Sequence, residues 1–234
     1  MKNFSIIIPI YNESESIFKL IKEIDKEFSE NNPEIIIIND GSTDDFNKKT
    51  LQLKKKNLLI FSHNENLGKC RAMLTGVSKA TNDLICIIDG DGQNPPYEIK
   101  KLIKFCNTLS IKNRNKFLIC GNRRNRQDTL IKRISSKVAN TVRKFVLDDD
   151  CNDTACALKV FLRSDYLKIT YFKNMHRFLP ALFKMNHCKI FNVPIDDRPR
   201  NAGISKYSFN NRFWIGIIDL IKVWILINKE KKNG

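Results

Sequence analysis

An α/β fold, with a mostly parallel sheet flanked by helices, is what three features of this sequence predict. Short β-branched runs alternate with segments of helical period along the first half of the chain. Those runs are continuously apolar, the pattern of strands covered on both faces. Each run then breaks into a polar loop. With 234 residues, 42% of them hydrophobic, the chain can bury a full core as a single domain.

The first strand is read at Phe4 to Ile8, and Pro9-Ile10-Tyr11-Asn12-Glu13 ends it in a loop. Ile17, Leu20, Ile21, Ile24 and Phe28 follow at helical spacing, with Ser14 or Ser16 as the capping residue. Glu34 to Ile38 is the second strand, running into Asn39-Asp40-Gly41-Ser42-Thr43-Asp44-Asp45, a turn that opens the next helix. Leu58 to Phe61 is the third strand; Asn64-Glu65-Asn66-Leu67-Gly68-Lys69 leads from it into a helix through Ala80. The fourth strand ends at Asp89, and Pro95-Pro96 starts a helix over Tyr97 to Leu109. A strand at Phe117 to Cys120 is followed by an arginine-rich loop, Gly121-Asn122-Arg123-Arg124-Asn125-Arg126, and by a helix carrying Ile131, Ile134, Val138, Val142 and Phe145, with Arg133 on it. The last strand is read at Cys188 to Val193.

In an open parallel sheet, ligands bind at the carboxyl ends of the strands, so Tyr11 to Glu13, Asp40 to Thr43 and Asp89 to Gln93 should converge. The last of these, Asp89-Gly90-Asp91-Gly92-Gln93, sets two carboxylates and a carboxamide oxygen close together. Such a set of hard oxygens suits Mg²⁺ or Mn²⁺, and Gly90 and Gly92 leave room for a bulky anion beside it. An isolated Asp-Gly-Asp is also ordinary turn composition, so the weight of this reading comes from the neighbouring motifs.

A formal charge of +16 points to anionic partners: nucleic acid, a phospholipid surface or a phosphorylated small molecule. No helix-turn-helix, zinc-finger or RNA-recognition signature accompanies that charge, which argues against nucleic acid. Seven cysteines without a CxxC pair, Cys86 and Cys120 among them inside apolar runs, suit a reducing cytosol. The run after Met1 reaches Pro9 without a small-residue cleavage site, so no signal peptide is expected. Phe213 to Ile227 is apolar but interrupted by Asp219 and Lys222, too short and too charged to span a bilayer. Trp214, Ile217, Ile218, Ile221, Trp224 and Ile225 share one helical face, followed by Lys229-Glu230-Lys231-Lys232; that face would lie in a membrane interface or pack on the domain itself.

Six motifs, in order and at matching spacing, resemble those of family 2 glycosyltransferases of the GT-A fold, most closely the dolichyl- and polyprenyl-phosphate sugar transferases. They are Ile8-Pro9-Ile10-Tyr11-Asn12-Glu13, Asn39-Asp40-Gly41-Ser42-Thr43-Asp44, Asn66-Leu67-Gly68-Lys69, Asp89-Gly90-Asp91-Gly92-Gln93-Asn94-Pro95-Pro96, Gly121-Asn122-Arg123 and Ser205-Lys206-Tyr207. The resemblance implies a transferase domain over residues 1–210 and an amphipathic helix with a basic tail over 211–234, peripheral on the cytoplasmic face of a membrane. It implies that Pro9, Tyr11, Glu13, Ile38 and Asp40 hold the base and ribose of a GDP- or UDP-linked sugar. Asp89, Asp91 and Gln93 would hold Mg²⁺ or Mn²⁺, with Gly90 beside the diphosphate. Arg123, Arg200 and Lys206 would face the donor phosphates. Arg133, with Arg123 and Arg200, would receive the phosphate of a polyprenyl acceptor.

The reaction so implied is inverting transfer to a lipid phosphate, with Asp89, Asp91, Gln93 and Arg200 as its central residues. A phosphate monoester is already an anionic nucleophile, so the chemistry calls for charge balance on the leaving diphosphate rather than for a strong base. Two departures bear on this. Asp153-Thr154-Ala155-Cys156-Ala157-Leu158-Lys159 has alanines where the family pattern has glycines, and Asn174-Met175-His176-Arg177 offers no carboxylate where hydroxyl-glycosylating relatives carry one. A transferase acting on a carbohydrate hydroxyl, and a catalytically silent scaffold of the same fold, are the competing readings.

Overall fold

The computed structural model describes residues 3–50, 55–109, 116–124, 140–199 and 209–233, with side chains in the last helix described over 216–229. Its elements are β1 (Phe4–Ile10), α1 (Ile17–Glu27), β2 (Glu34–Asn39), α2 (Phe46–Thr50), β3 (Leu58–Ser62), α3 (Lys69–Lys79), β4 (Leu84–Ile87), α4 (Pro96–Thr108) and β5 (Phe117–Arg123). Residues 140–147 are helical (α5). Then come β6 (Lys159–Leu162), α6 (Arg163–Leu167), a 3₁₀ turn at Met175–Arg177, α7 (Leu179–Met185), β7 (Lys189–Ile195) and α8 (Phe209–Asn233).

The strands form one seven-stranded sheet in the order β3-β2-β1-β4-β6-β5-β7. Pairings are parallel except those of β6, which runs antiparallel to both β4 and β5. The expected α/β architecture is therefore present; β6 is the strand that periodicity missed, and it also missed the short helices α6 and α7 and the 3₁₀ turn between them. β6 is four residues long, and its Val-Phe-Leu run follows a buried lysine, so it carries no strand signal of its own.

Alternate residues of each inner strand serve two cores. Ile6, Ile8 and Ile10 belong to the core that α1 and α4 share, while Ile7, Ile36 and Ile38 belong to the other, which α3 covers over β1 and β2 and α7 over β5 and β7. This two-sided burial is why the strands read as unbroken apolar runs. A Cβ at Gly76 would overlap the Ile7 side chain, so glycine there lets α3 lie close on the sheet.

Several expected boundaries shift, β1 running on through Pro9 and Ile10 and β7 through Pro194 and Ile195. β5 continues through Gly121-Asn122-Arg123, because those residues pair with Val193, Pro194 and Ile195 of β7 instead of forming a loop. β4 stops at Ile87, although the Ile88 N–H still donates to the Ile7 carbonyl. Ser16 stands at the N-cap of α1 without capping it; its hydroxyl lies 2.7 Å from the Gly90 carbonyl and bonds there.

The C-terminal helix packs on the domain through one face and leaves an apolar face open. Val223 and Ile227 join the second core, and buried Asp219 accepts a hydrogen bond from Asn174 Nδ2 at 3.0 Å. Ile218, Ile221, Trp224 and Ile225 are 48–54% exposed. No helix of the described residues is long and apolar enough to cross a membrane.

Candidate active site

The ends of β1 and β2 are sewn together by side chain to backbone bonds. Asn12, in the left-handed region at φ 55°, donates its N–H to Ser42 Oγ at 2.9 Å and accepts the Thr43 N–H on Oδ1 at 2.7 Å. Asp44 accepts the Ser14 N–H at 2.9 Å and the Phe46 N–H at 3.2 Å, so one carboxylate joins the first loop to the start of α2. Pro9 stands beside Ile38 in register, both buried, with Tyr11 exposed and Glu13 partly buried beyond them.

Asp40, expected to accept from the nucleotide, is 3% exposed and surrounded by donors of the protein. Its Oδ1 accepts the Leu67 N–H at 3.0 Å and lies 2.7 Å from His63 Nδ1; its Oδ2 accepts the Gly68 N–H at 2.8 Å. His63 reaches on to Thr75 Oγ1 at 3.0 Å. Asp40 therefore braces the loop that begins α3. Gly41 makes the approach possible: its φ is +70°, and a Cβ there would strike the backbone of Glu65 and Asn66.

At the end of β4 the two carboxylates differ. Asp89 has a side chain 33% exposed and forms an ion pair with Lys69 Nζ at 2.6 Å. Asp91 is 4% exposed, and its Oδ1 accepts the Gln93 N–H at 3.0 Å. The glycine between them packs rather than opens space, since a Cβ on Gly90 would overlap Ile10. From the far side Arg198 pins the loop. Its Nε donates to the Gly92 carbonyl, its N–H donates to the Gln93 carbonyl at 3.0 Å, and its guanidinium pairs with Glu23 of α1 at 2.6 Å.

Arg123, expected at phosphate, is held by carboxylates. It makes a two-pronged contact with Asp153 at 2.7 and 3.0 Å and lies 3.6 Å from Asp197, which in turn accepts from Asn94 Nδ2 at 3.3 Å. Burial alone would lower its pKa, but the bonded Asp153, with Asp197 beyond, pushes it above the ordinary arginine value. Asp153 is presented by a loop that Arg143 of α5 organises. Arg143, 6% exposed, bonds Asp149 at 2.5 Å, Thr154 Oγ1 at 2.7 Å and the Cys151 carbonyl at 2.7 Å.

The structure thus brings Pro9, Tyr11, Glu13, Ile38, Asp40, Asp89, Gly90, Asp91, Gln93 and Arg123 to the loops at one end of the sheet. Arg133, Arg200 and Lys206 lie outside the described residues. Sequence reasoning missed Lys69, Arg143 and Arg198. Lys69 closes a motif already singled out, and the acidic run Asp148-Asp149-Asp150 was a sign that a buried cation would be needed near it.

The donor set fits a hard divalent cation shared with a substrate. Among the described residues no group of three His, Cys, Asp or Glu side chains could hold a metal by itself. Two carboxylates and an amide oxygen suit Mg²⁺ or Mn²⁺, which keep one or two protein carboxylates and complete their shell with water and phosphate oxygens.

A mostly parallel sheet whose central strand delivers this acidic loop is the arrangement of the GT-A glycosyltransferases. Residues 5–170 match the family described as Glycosyl transferase family 2; the chain belongs to that family and is a glycosyltransferase. Glucosyl-3-phosphoglycerate synthase from Mycobacterium tuberculosis, in complex with Mn²⁺, UDP and glucosyl-3-phosphoglycerate, is similar in fold. Its TM-score is 0.68 at 14% identity, over 97% of this chain and 80% of that one. The same synthase with Mg²⁺ and UDP gives 0.70 at 13% identity, over 97% and 79%. S. aureus TarS 1-349 gives 0.59 at 16% identity, over 82% of this chain and 58% of that one.

Proposed function

We propose that this glycosyltransferase moves a sugar from a nucleoside diphosphate to a polyprenyl phosphate, with inversion, at the cytoplasmic face of a membrane. The observation that carries the donor half is the acidic loop after β4, fastened by Ser16 on one side and by Arg198 on the other. Asp91 and Gln93, with Asp89 beside them, would hold Mg²⁺ or Mn²⁺, and that cation would act as a Lewis acid on the departing diphosphate. The similar synthase bound to Mn²⁺ or Mg²⁺ with UDP supports the same donor chemistry here. Pro9, Tyr11, Glu13 and Ile38 would line the base and ribose. Asp40 would act on the nucleotide chiefly through the Leu67–Gly68 loop that it braces.

The acceptor half rests on what a hydroxyl would need. A hydroxyl acceptor requires a general base, whereas a phosphate requires cations to hold it in line. Two carboxylates next to the acidic loop, Asp153 and Asp197, are both engaged by Arg123, which suits them to structure better than to proton abstraction. Arg123 in this reading orders the site, while Arg133, Arg200 and Lys206 would meet the phosphates. The exposed apolar face of α8, with Lys222 and Lys229 exposed at its edge, would rest in the lipid headgroups.

The test is incubation of the purified protein with labelled UDP- and GDP-sugars, Mg²⁺ or Mn²⁺, and polyprenyl phosphate, following label into the organic phase. Transfer to the lipid phosphate and none to polyprenyl alcohol is expected. Equal transfer to the alcohol or to a free sugar would replace the phosphate acceptor with a hydroxyl one.

A further inference from the structure

We propose that His176 donates a hydrogen bond from Nε2 to a phosphoryl oxygen of a bound substrate, and that Cys70 sets the tautomer that makes this possible. The inference rests on the glycosyltransferase reading above and adds a phosphate-binding group to it.

Cys70, the second residue of α3, is 4% exposed, and its Sγ lies 3.0 Å from His176 Nδ1. The same sulfur accepts the His176 backbone N–H at 3.3 Å, so the thiol is fixed from two directions. A thiol donating to Nδ1 leaves the imidazole proton on Nε2. Burial raises the thiol pKa, while burial together with Lys69, Arg177 and Lys159 holds the imidazole neutral. Both effects favour the S–H···N pair over a thiolate–imidazolium pair.

A histidine serving only the core would have both nitrogens engaged. Among the described residues nothing bonds to Nε2, and the residue is only partly buried although its Nδ1 lies on Cys70. The charged groups acting on the ring are Lys69, Arg177 and Lys159, all cations. Lys69 is also the residue that reaches Asp89. A neutral donor among cations beside the start of α3 recognises a phosphate oxygen without adding to their mutual repulsion. The segment is held in place from both sides: the Arg71 guanidinium stacks 4.1 Å over the Tyr171 ring, and Asn174, at φ 68°, donates to Asp219 of α8.

Nitrogen NMR on the full chain, uniformly labelled with nitrogen-15, tests this directly. The chain has three histidines, and His176→Gln identifies the signal in question. Near neutral pH the proton should reside on Nε2; Cys70→Ser should keep it there and Cys70→Ala should mix the tautomers. Titration with UDP plus Mg²⁺, and separately with farnesyl phosphate, distinguishes donor diphosphate from acceptor phosphate by which one shifts the Nε2–H signal. His176→Ala should weaken that ligand about 10-fold. A proton on Nδ1, or an imidazolium at neutral pH, overturns the proposal. So does a titration in which the Gly90 and Gln93 amides respond while His176 does not. A protein in which neither ligand moves any signal overturns the transferase reading along with this one.

Discussion

Lys69 Nζ lies 2.6 Å from Asp89 Oδ1, which ties the first residue of α3 to the end of the central strand. Two carboxylates one residue apart therefore stand in different electrostatic company: Asp89 shares a lysine, and Asp91 is buried against its own loop. The proposed metal should depend more on Asp91. Asp91→Asn is expected to lower turnover on the order of 100-fold or more, with Asp89→Asn less severe. EDTA should abolish turnover in the wild type. Equal losses in steady-state assays of the two variants would argue that the carboxylates share the cation evenly.

Asp40→Asn should act first on stability. The amide keeps one oxygen but turns an NH₂ toward a backbone N–H that the carboxylate accepted. The expected loss is about 2 kcal/mol, measured by urea denaturation, with donor affinity reduced as a consequence. Unchanged stability with a large loss of nucleotide binding in calorimetry would instead make Asp40 a direct ligand.

Breaking the Arg123–Asp153 pair from one side should cost about 3–5 kcal/mol, because Asp153→Ala leaves a largely buried guanidinium short of its bonded partner. Arg123→Met combined with Asp153→Leu should recover most of that loss. If Asp153→Ala melts like the wild type, the pair adds nothing to the fold and Arg123 is free to serve phosphate.

Ile221→Glu with Ile225→Glu alters the open face of α8 and leaves Val223 and Ile227 in the core. Each isoleucine removed from a lipid interface forfeits about 1.5–3 kcal/mol, so sedimentation with anionic vesicles should weaken by roughly 100-fold or more. Unchanged circular dichroism would accompany the loss. Undiminished sedimentation would exclude this face as the anchor.

Burial, with the cations Lys69, Arg177 and Lys159, lowers the His176 pKa well below its ordinary value. Below about pH 6.5 the unfolded chain then binds a proton at this position that the folded chain refuses, so stability falls as pH falls. The contribution is at most about 1.4 kcal/mol per pH unit. It should appear as a difference in slope between wild type and His176→Gln in denaturation series run from about pH 7 down to pH 5. Parallel stability curves for the two proteins would mean that His176 is readily protonated.

The order of strands and helices up to Thr108 was legible because each inner strand is covered on both sides and each helix on one, and both conditions leave a period in the sequence. The convergence of three loops was legible from topology alone. What could not be read was the use of side chains once the loops met. Nothing in Asp40 or Arg123 as residue types says whether they face a ligand or each other's loops. That depends on partners such as Gly68 and Asp153, which are distant in sequence. Antiparallel β6 was hidden for a similar reason, since a four-residue strand paired on both sides borrows its stability from both neighbours.

That insertion has a consequence for biosynthesis. Until Lys159–Leu162 has been made, β4 is the open edge of a half-sheet, with the backbone of Leu84–Ile87 bare on one side. A nascent chain halted before β6 exposes the kind of unpaired, apolar strand that invites association between chains. The strand end that carries Asp89 and Asp91 is thus completed late in translation, and truncations ending before residue 159 should accumulate as aggregates rather than as a smaller folded unit.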